Sequence, residues 1–168
     1  MTNSISTRAA ELHEQAIIID GHSDILMAVA SRRLRLGERF PLPESQGWEA
    51  PLGWFEPPEA IMYNFSQHTS YFQTMGQYDL PRFREGGLTL QGMAIYIEST
   101  ELNRALETAL EMVFWLDREF AEIEDFDQVL TVADIRRIKA EGKVGGMLTF
   151  EGFEPLGANL NLLDIFYK

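Results

Sequence analysis

Short apolar stretches punctuate the chain, and helical periods fill the intervals between them. Ile17, Ile18 and Ile19 form a wholly β-branched run, the composition of a buried strand. Leu88 to Ile97 predicts a second strand, weakened locally by Gly92, and Val144 to Phe150 a third. A first helix is expected from a cap at Ser6 or Thr7 to about Gln15. Thr100 is placed to cap a long helix reaching about Ile123. Its apolar positions Leu102, Leu106, Ala109, Leu110, Val113, Leu116, Phe120 and Ile123 recur with helical period. Thr131, with Asp134 at the N3 position, has the form of a capping box and opens a helix that stops near Gly142. Another helix is expected to begin within Gly157 to Lys168, where no stop signal follows it.

Residues 37–81 interrupt this regularity. They hold all but one of the seven prolines, together with Gly, Trp and Tyr. Excursions of that length are usually functional or disordered, and the aromatics Trp48, Trp54, Phe55, Tyr63, Phe65, Tyr71 and Phe72 favour a packed one. A short helix is expected around Glu59 to Tyr71, and Asp79 to Gly87 reads as a turn region. The order is then helix, strand, long loop, strand, helix, helix, strand, helix. Strands separated by helices pair in parallel through crossovers, and such barrels carry their functional residues at the C-terminal ends of the strands.

Composition narrows the function. The 168 residues are 45% hydrophobic and 24% charged, ordinary for one globular domain. A net charge of −12 without a basic stripe argues against nucleic acid and against an anionic membrane surface as partners. The chain has no cysteine, which removes disulfides, thiolate metal sites and cysteine nucleophiles, and fits a cytoplasmic location. Met1 to Gln15 lacks the pattern of a signal peptide, and no apolar run approaches the roughly 20 residues that span a bilayer.

His22 and Asp24 follow the first apolar run, and their spacing on extended chain turns both to one side. An imidazole and a carboxylate converging on one point suit Zn²⁺, with Asp20 expected to support them from behind. A lone His-x-Asp pair arises often by chance and carries little weight. Glu151 ends the third apolar run, where a carboxylate is costly unless paired, metal-bound or exposed. All three residues are expected at one rim of a parallel sheet.

Three ordered segments resemble the membrane (renal) dipeptidase family of the amidohydrolase superfamily. Ile18-Ile19-Asp20-Gly21-His22-Ser23-Asp24-Ile25 is similar to its first-strand motif. Asp79-Leu80-Pro81-Arg82-Phe83-Arg84-Glu85-Gly86-Gly87 resembles the segment before its second strand, and Gly142-Lys143-Val144 leading to Thr149-Phe150-Glu151-Gly152 resembles its third. Asp24, where many amidohydrolases carry histidine, points to the dipeptidase branch. The resemblance implies a (β/α)8 TIM-type barrel. The chain would supply its N-terminal three βα units as a single partial domain over residues 1–168. It also implies a zinc-dependent dipeptidase with two zinc ions, in which His22 and Asp24 bind one ion and Glu151 bridges both. A metal-activated hydroxide would cleave the peptide bond of a dipeptide substrate, and the complete barrel could support a homo-oligomer.

The family also uses two further histidine ligands and an aspartate as general acid/base. This sequence holds His13, His22 and His68 alone. His13 falls in the first helix, away from the expected site, and His68 in the long excursion, where a structural role is favoured. The catalytic acid/base is therefore expected beyond Lys168, and the 168 residues alone are expected to be inactive. A non-catalytic or interaction fragment that retains the fold is the alternative. A metallophosphoesterase, suggested by Asp20-x-His22, lacks its downstream Asn-His pair.

Overall fold

The computed structural model describes residues 7–31, 35–39 and 78–167. Helix α1 (Thr7–Gln15) leads into β1 (Ile19–Asp20) and α2 (Ile25–Ala30). Beyond the excursion come α3 (Leu80–Glu85) and β2 (Leu90–Tyr96). A 3₁₀ turn (Ser99–Arg104) runs into α4 (Ala105–Glu122), followed by β3 (Phe126–Gln128), α5 (Val132–Glu141) and β4 (Val144–Glu151). A second 3₁₀ turn (Glu154–Leu156) and α6 (Leu162–Phe166) complete the described chain. His68 and the helix expected at 59–71 lie outside the described residues.

The sheet has four strands in the order β1-β2-β4-β3, and every pairing is parallel. Sequence reading expected three strands. Phe126–Gln128 escaped it because three residues with a single apolar member show no period. This strand pairs Phe126 with Val144 and Gln128 with Gly146, so it borders the N-terminal end of β4. The isoleucine run also pairs less than expected, since only Ile19 and Asp20 register with Leu90 and Gln91.

The two faces of the sheet differ. Met93 and Ile95 of β2, with Leu148 and Phe150 of β4, pack toward Ile25, Leu26 and Val29 of α2 and Met112 and Leu116 of α4. Burying one such side chain stabilises by about 1.5–3 kcal/mol. On the other face Leu90 and Met147 meet Val129, Ile135 and Ile138 at the N-terminal end of the strands. In register beyond them come Ala94 with Thr149 and Tyr96 with Glu151, toward the C-terminal end.

Helix α4 follows the expected stripe in part: Ala109 and Leu116 are buried, and Val113, Phe120 and Ile123 pack against the core. Ala105, Ala109, Met112, Leu116 and Glu119 are buried, whereas Leu102, Leu106 and Leu110 are exposed. Small residues at 105 and 109 let the helix sit close to its neighbours, and the bulkier leucines face out. The expected turn at 79–87 contains α3, started by Asp79, whose carboxylate accepts from the Arg82 N–H at 2.8 Å. Pro81 in the first turn costs no hydrogen bond there. The box at Thr131 forms as expected: its hydroxyl accepts from Asp134 N, and Asp134 accepts in return from Thr131 N at 2.8 Å. Gly142 ends α5 with φ of 69°, in the left-handed region that favours glycine.

The described residues on either side of the excursion meet. Leu80 N–H donates to Leu36 O at 2.9 Å, and Leu36 N–H donates to the buried Glu119 carboxylate at 2.9 Å. Arg35 Nε donates to the same carboxylate at 2.7 Å. Glu119 on α4 thus anchors the neck of the excursion.

Candidate metal centre

β1 stops at Asp20, and the chain passes over Gly92 of β2 before α2 begins. His22 lies in the irregular segment between β1 and α2, and Asp24 is the residue at which α2 starts. The local hydrogen bonds explain why the Asp24 carboxylate is available. Ser23 Oγ accepts from the Ile25 N–H at 3.3 Å, while Asp24 makes no capping bond with its own helix. A serine takes up the helix-starting role, and the neighbouring aspartate turns elsewhere.

Glu151, the last residue of β4, comes to meet them. His22 Nε2 lies 3.1 Å from Glu151 Oε2 and 3.4 Å from Asp24 Oδ1. One ligand atom from each of the three residues falls within 4.8 Å of the others. Asp24 Oδ1 is buried and accepts no hydrogen bond among the described residues. An orphaned carboxylate oxygen is expensive in a protein interior, and a cation removes that cost. One imidazole nitrogen and two carboxylates are a donor set that suits Zn²⁺, and equally Mn²⁺ or Fe²⁺. The residues present therefore fit a divalent ion.

Asp20 acts on the site through backbone. Its Oδ1 accepts from the His22 N–H at 3.1 Å and so fixes the backbone that carries the imidazole. His13 sits in the last turn of α1 with its ring beside Gly87, away from the cluster.

Tyr96 was missed in the sequence. It ends β2 in register with Glu151, and the pairing of strands two and three would have exposed it. Burial raises its pKa above the ordinary phenol value, and the negative charges of Glu98, Glu151, Asp24 and Glu154 raise it further. It stays a neutral hydroxyl beside an anionic cluster. Thr149, two residues before Glu151, keeps its hydroxyl buried and without a partner among the described residues.

A model of the membrane dipeptidase family (peptidase family M19) matches residues 6–168. The chain belongs to the membrane dipeptidase family. Among solved structures it is similar to dipeptidase AC, a metallopeptidase of family M19, at 25% identity and a TM-score of 0.58. That likeness covers 90% of this chain and 39% of the other. It also resembles in fold a metallopeptidase from Rhodobacter sphaeroides liganded with a phosphinate mimic of the dipeptide L-Ala-D-Ala. There the identity is 23% and the TM-score 0.56, over 90% of this chain and 42% of the other. No curated protein matches.

The chain thus spans about two fifths of the length of these two structures. Its parallel four-stranded sheet is consistent with part of a TIM-type barrel. Within this family member the cluster of His22, Asp24 and Glu151 lies at the C-terminal ends of strands, the rim where such barrels carry their chemistry. Among the described residues, no helix is long and apolar enough to cross a membrane.

Proposed function

We propose that this chain carries three metal ligands of a zinc-dependent dipeptidase: His22 and Asp24 for one ion, and Glu151 shared between two. The observation that carries the proposal is the convergence of these side chains, with Asp24 Oδ1 buried and without a hydrogen bond among the described residues. Membership of the membrane dipeptidase family supports a dipeptide as substrate. So does likeness to a metallopeptidase liganded with a dipeptide mimic, as far as fold goes.

The roles of the chain's own residues follow from their placement. Ser23 starts α2 and leaves Asp24 for the ion; Asp20 holds the backbone of His22. Glu151 brings a carboxylate from the far side of β2. Tyr96, held protonated, offers a hydrogen-bond donor at the edge of an anionic site. When bound, the metal supplies water activation and carbonyl polarisation for hydrolysis. The second ion needs ligands beyond these three. The other two histidines of the sequence are His13, which lies away from the cluster, and His68, which lies outside the described residues. The 168 residues are accordingly expected to bind zinc without turning over dipeptide.

The test is a zinc titration of the chain paired with an assay on an unblocked dipeptide. Zinc binding without hydrolysis is the expected result. Absence of zinc binding would contradict the metal site, and zinc-dependent hydrolysis by these residues alone would contradict the incomplete one.

A further inference from the structure

The segment that presents His22 is held mainly by its neighbour strand. The β1–β2 ladder ends at Asp20 and Gln91, and the next tie is Ala94 N–H donating to Ser23 O at 2.9 Å. Between those two ties the Gly21–His22 backbone crosses directly over Gly92. A methyl built on Gly92 would overlap the Gly21 carbonyl oxygen, and would lie 2.7 Å from the Gly21 carbonyl carbon and 3.3 Å from His22 N. Real Cβ atoms essentially never come within 3.0 Å of another heavy atom. The obstacle here is backbone, which cannot rotate aside as a side-chain tip can.

The glycine inside the motif is different. A methyl built on Gly21 meets nothing within 4 Å among the described residues, and its φ lies outside the left-handed range. Of the two glycines in contact, the one intolerant of a side chain is on β2, far from the motif in sequence.

We infer that Gly92 is a positioning residue for the metal centre: by lacking a side chain it lets the His22 segment lie flush on β2, at the depth from which the imidazole reaches Glu151. The inference rests on the metal-centre reading above. A side chain at 92 lifts Gly21 and His22 off the strand. Metal–ligand distances tolerate only about ±0.2 Å, so a lift of several tenths of an ångström takes Nε2 out of reach of the shared ion.

The test uses the full chain and three variants: Gly92→Ala, Gly21→Ala and Gly146→Ala. The last puts a methyl 2.7 Å from Phe126 Cζ on the helix-covered face, so it controls for general destabilisation. Zinc affinity is measured by competition with a chromophoric chelator, and amide exchange at Ala94 is measured on metal-free protein. A stabilising osmolyte keeps weakened variants folded. In Gly92→Ala, zinc affinity is expected to fall at least about tenfold, the scale on which supporting groups act. The Ala94 amide is expected to exchange faster in the same variant, and both quantities should stay unchanged in the two controls. Unchanged affinity and exchange in Gly92→Ala would overturn the inference, as would an equal loss in Gly146→Ala. If the parent chain binds no zinc, the metal-centre reading fails, and Ala94 exchange alone then decides the role of Gly92.

Discussion

His22 Nε2 stands 3.1 Å from Glu151 Oε2, although the two residues come from distant parts of the chain and β2 lies between their strands. Stability does not account for this arrangement. Both side chains are about half exposed, and ion pairs at such sites contribute little. A second carboxylate, Asp24, stands at the same imidazole, so negative charge exceeds what one histidine can neutralise. Groups placed at a cost to the fold and drawn together by it are the mark of a binding site.

Glu119 is expected to matter for folding instead. Its buried carboxylate accepts from Leu36 N–H and from Arg35, and Arg35 is itself part-exposed. Glu119→Ala leaves the Leu36 N–H without a partner and lowers stability by about 2 kcal/mol, chiefly the cost of that orphaned donor. Urea unfolding measures it. A loss no larger than that of the exposed pair partner Glu122→Ala would show that the neck is not anchored there.

The box at the start of α5 gives a second stability prediction. Thr131→Ala removes the side-chain acceptor of Asp134 N–H and costs about 1 kcal/mol. Thr131→Ser restores most of it. Chemical denaturation of the three proteins checks the order.

Asp127 ties β3 to α5 and gives a pH prediction. The Arg137 guanidinium at 2.6 Å holds its carboxyl below the usual aspartate value; burial opposes this, and Lys143 adds to the lowering. A depressed carboxylate stabilises above its unfolded value of about 3.9, and that contribution is lost as pH falls through the folded value. Asp127→Asn should therefore cost about 0.5–1 kcal/mol at neutral pH, allowing for solvent screening. The difference should vanish once both proteins are neutral at this position. Parallel stability curves across that acid range would contradict the assignment.

The sequence made the motif-bearing elements legible and hid those that depend on partners. The box at Thr131 and the stop at Gly142 are local chemistry, and both stand as read. Phe126–Gln128 is a strand because Val144–Gly146 offers it an edge, which no period in three residues announces. The single stripe expected for α4 included Ala109 and Leu116, which packing buries, but also Leu106 and Leu110, which it leaves exposed. His22, Asp24 and Glu151 were readable as residue types at strand ends. The Ser23 hydroxyl's bond to the Ile25 N–H, which leaves Asp24 uncapped, was not, since it depends on local backbone rather than on residue spacing. Tyr96 needed the register of β2 on β4.

The central claim is that His22, Asp24 and Glu151 hold one divalent ion. Isothermal titration of zinc into the chain and into Asp24→Ala and Glu151→Ala tests it most directly. The account predicts saturable binding in the parent chain and its loss in both variants. Their metal-free thermal stability should equal or exceed the parent's, because neither carboxylate supports the fold and Asp24→Ala removes a buried oxygen that accepts no hydrogen bond among the described residues. Parent-like zinc affinity in either variant would contradict it.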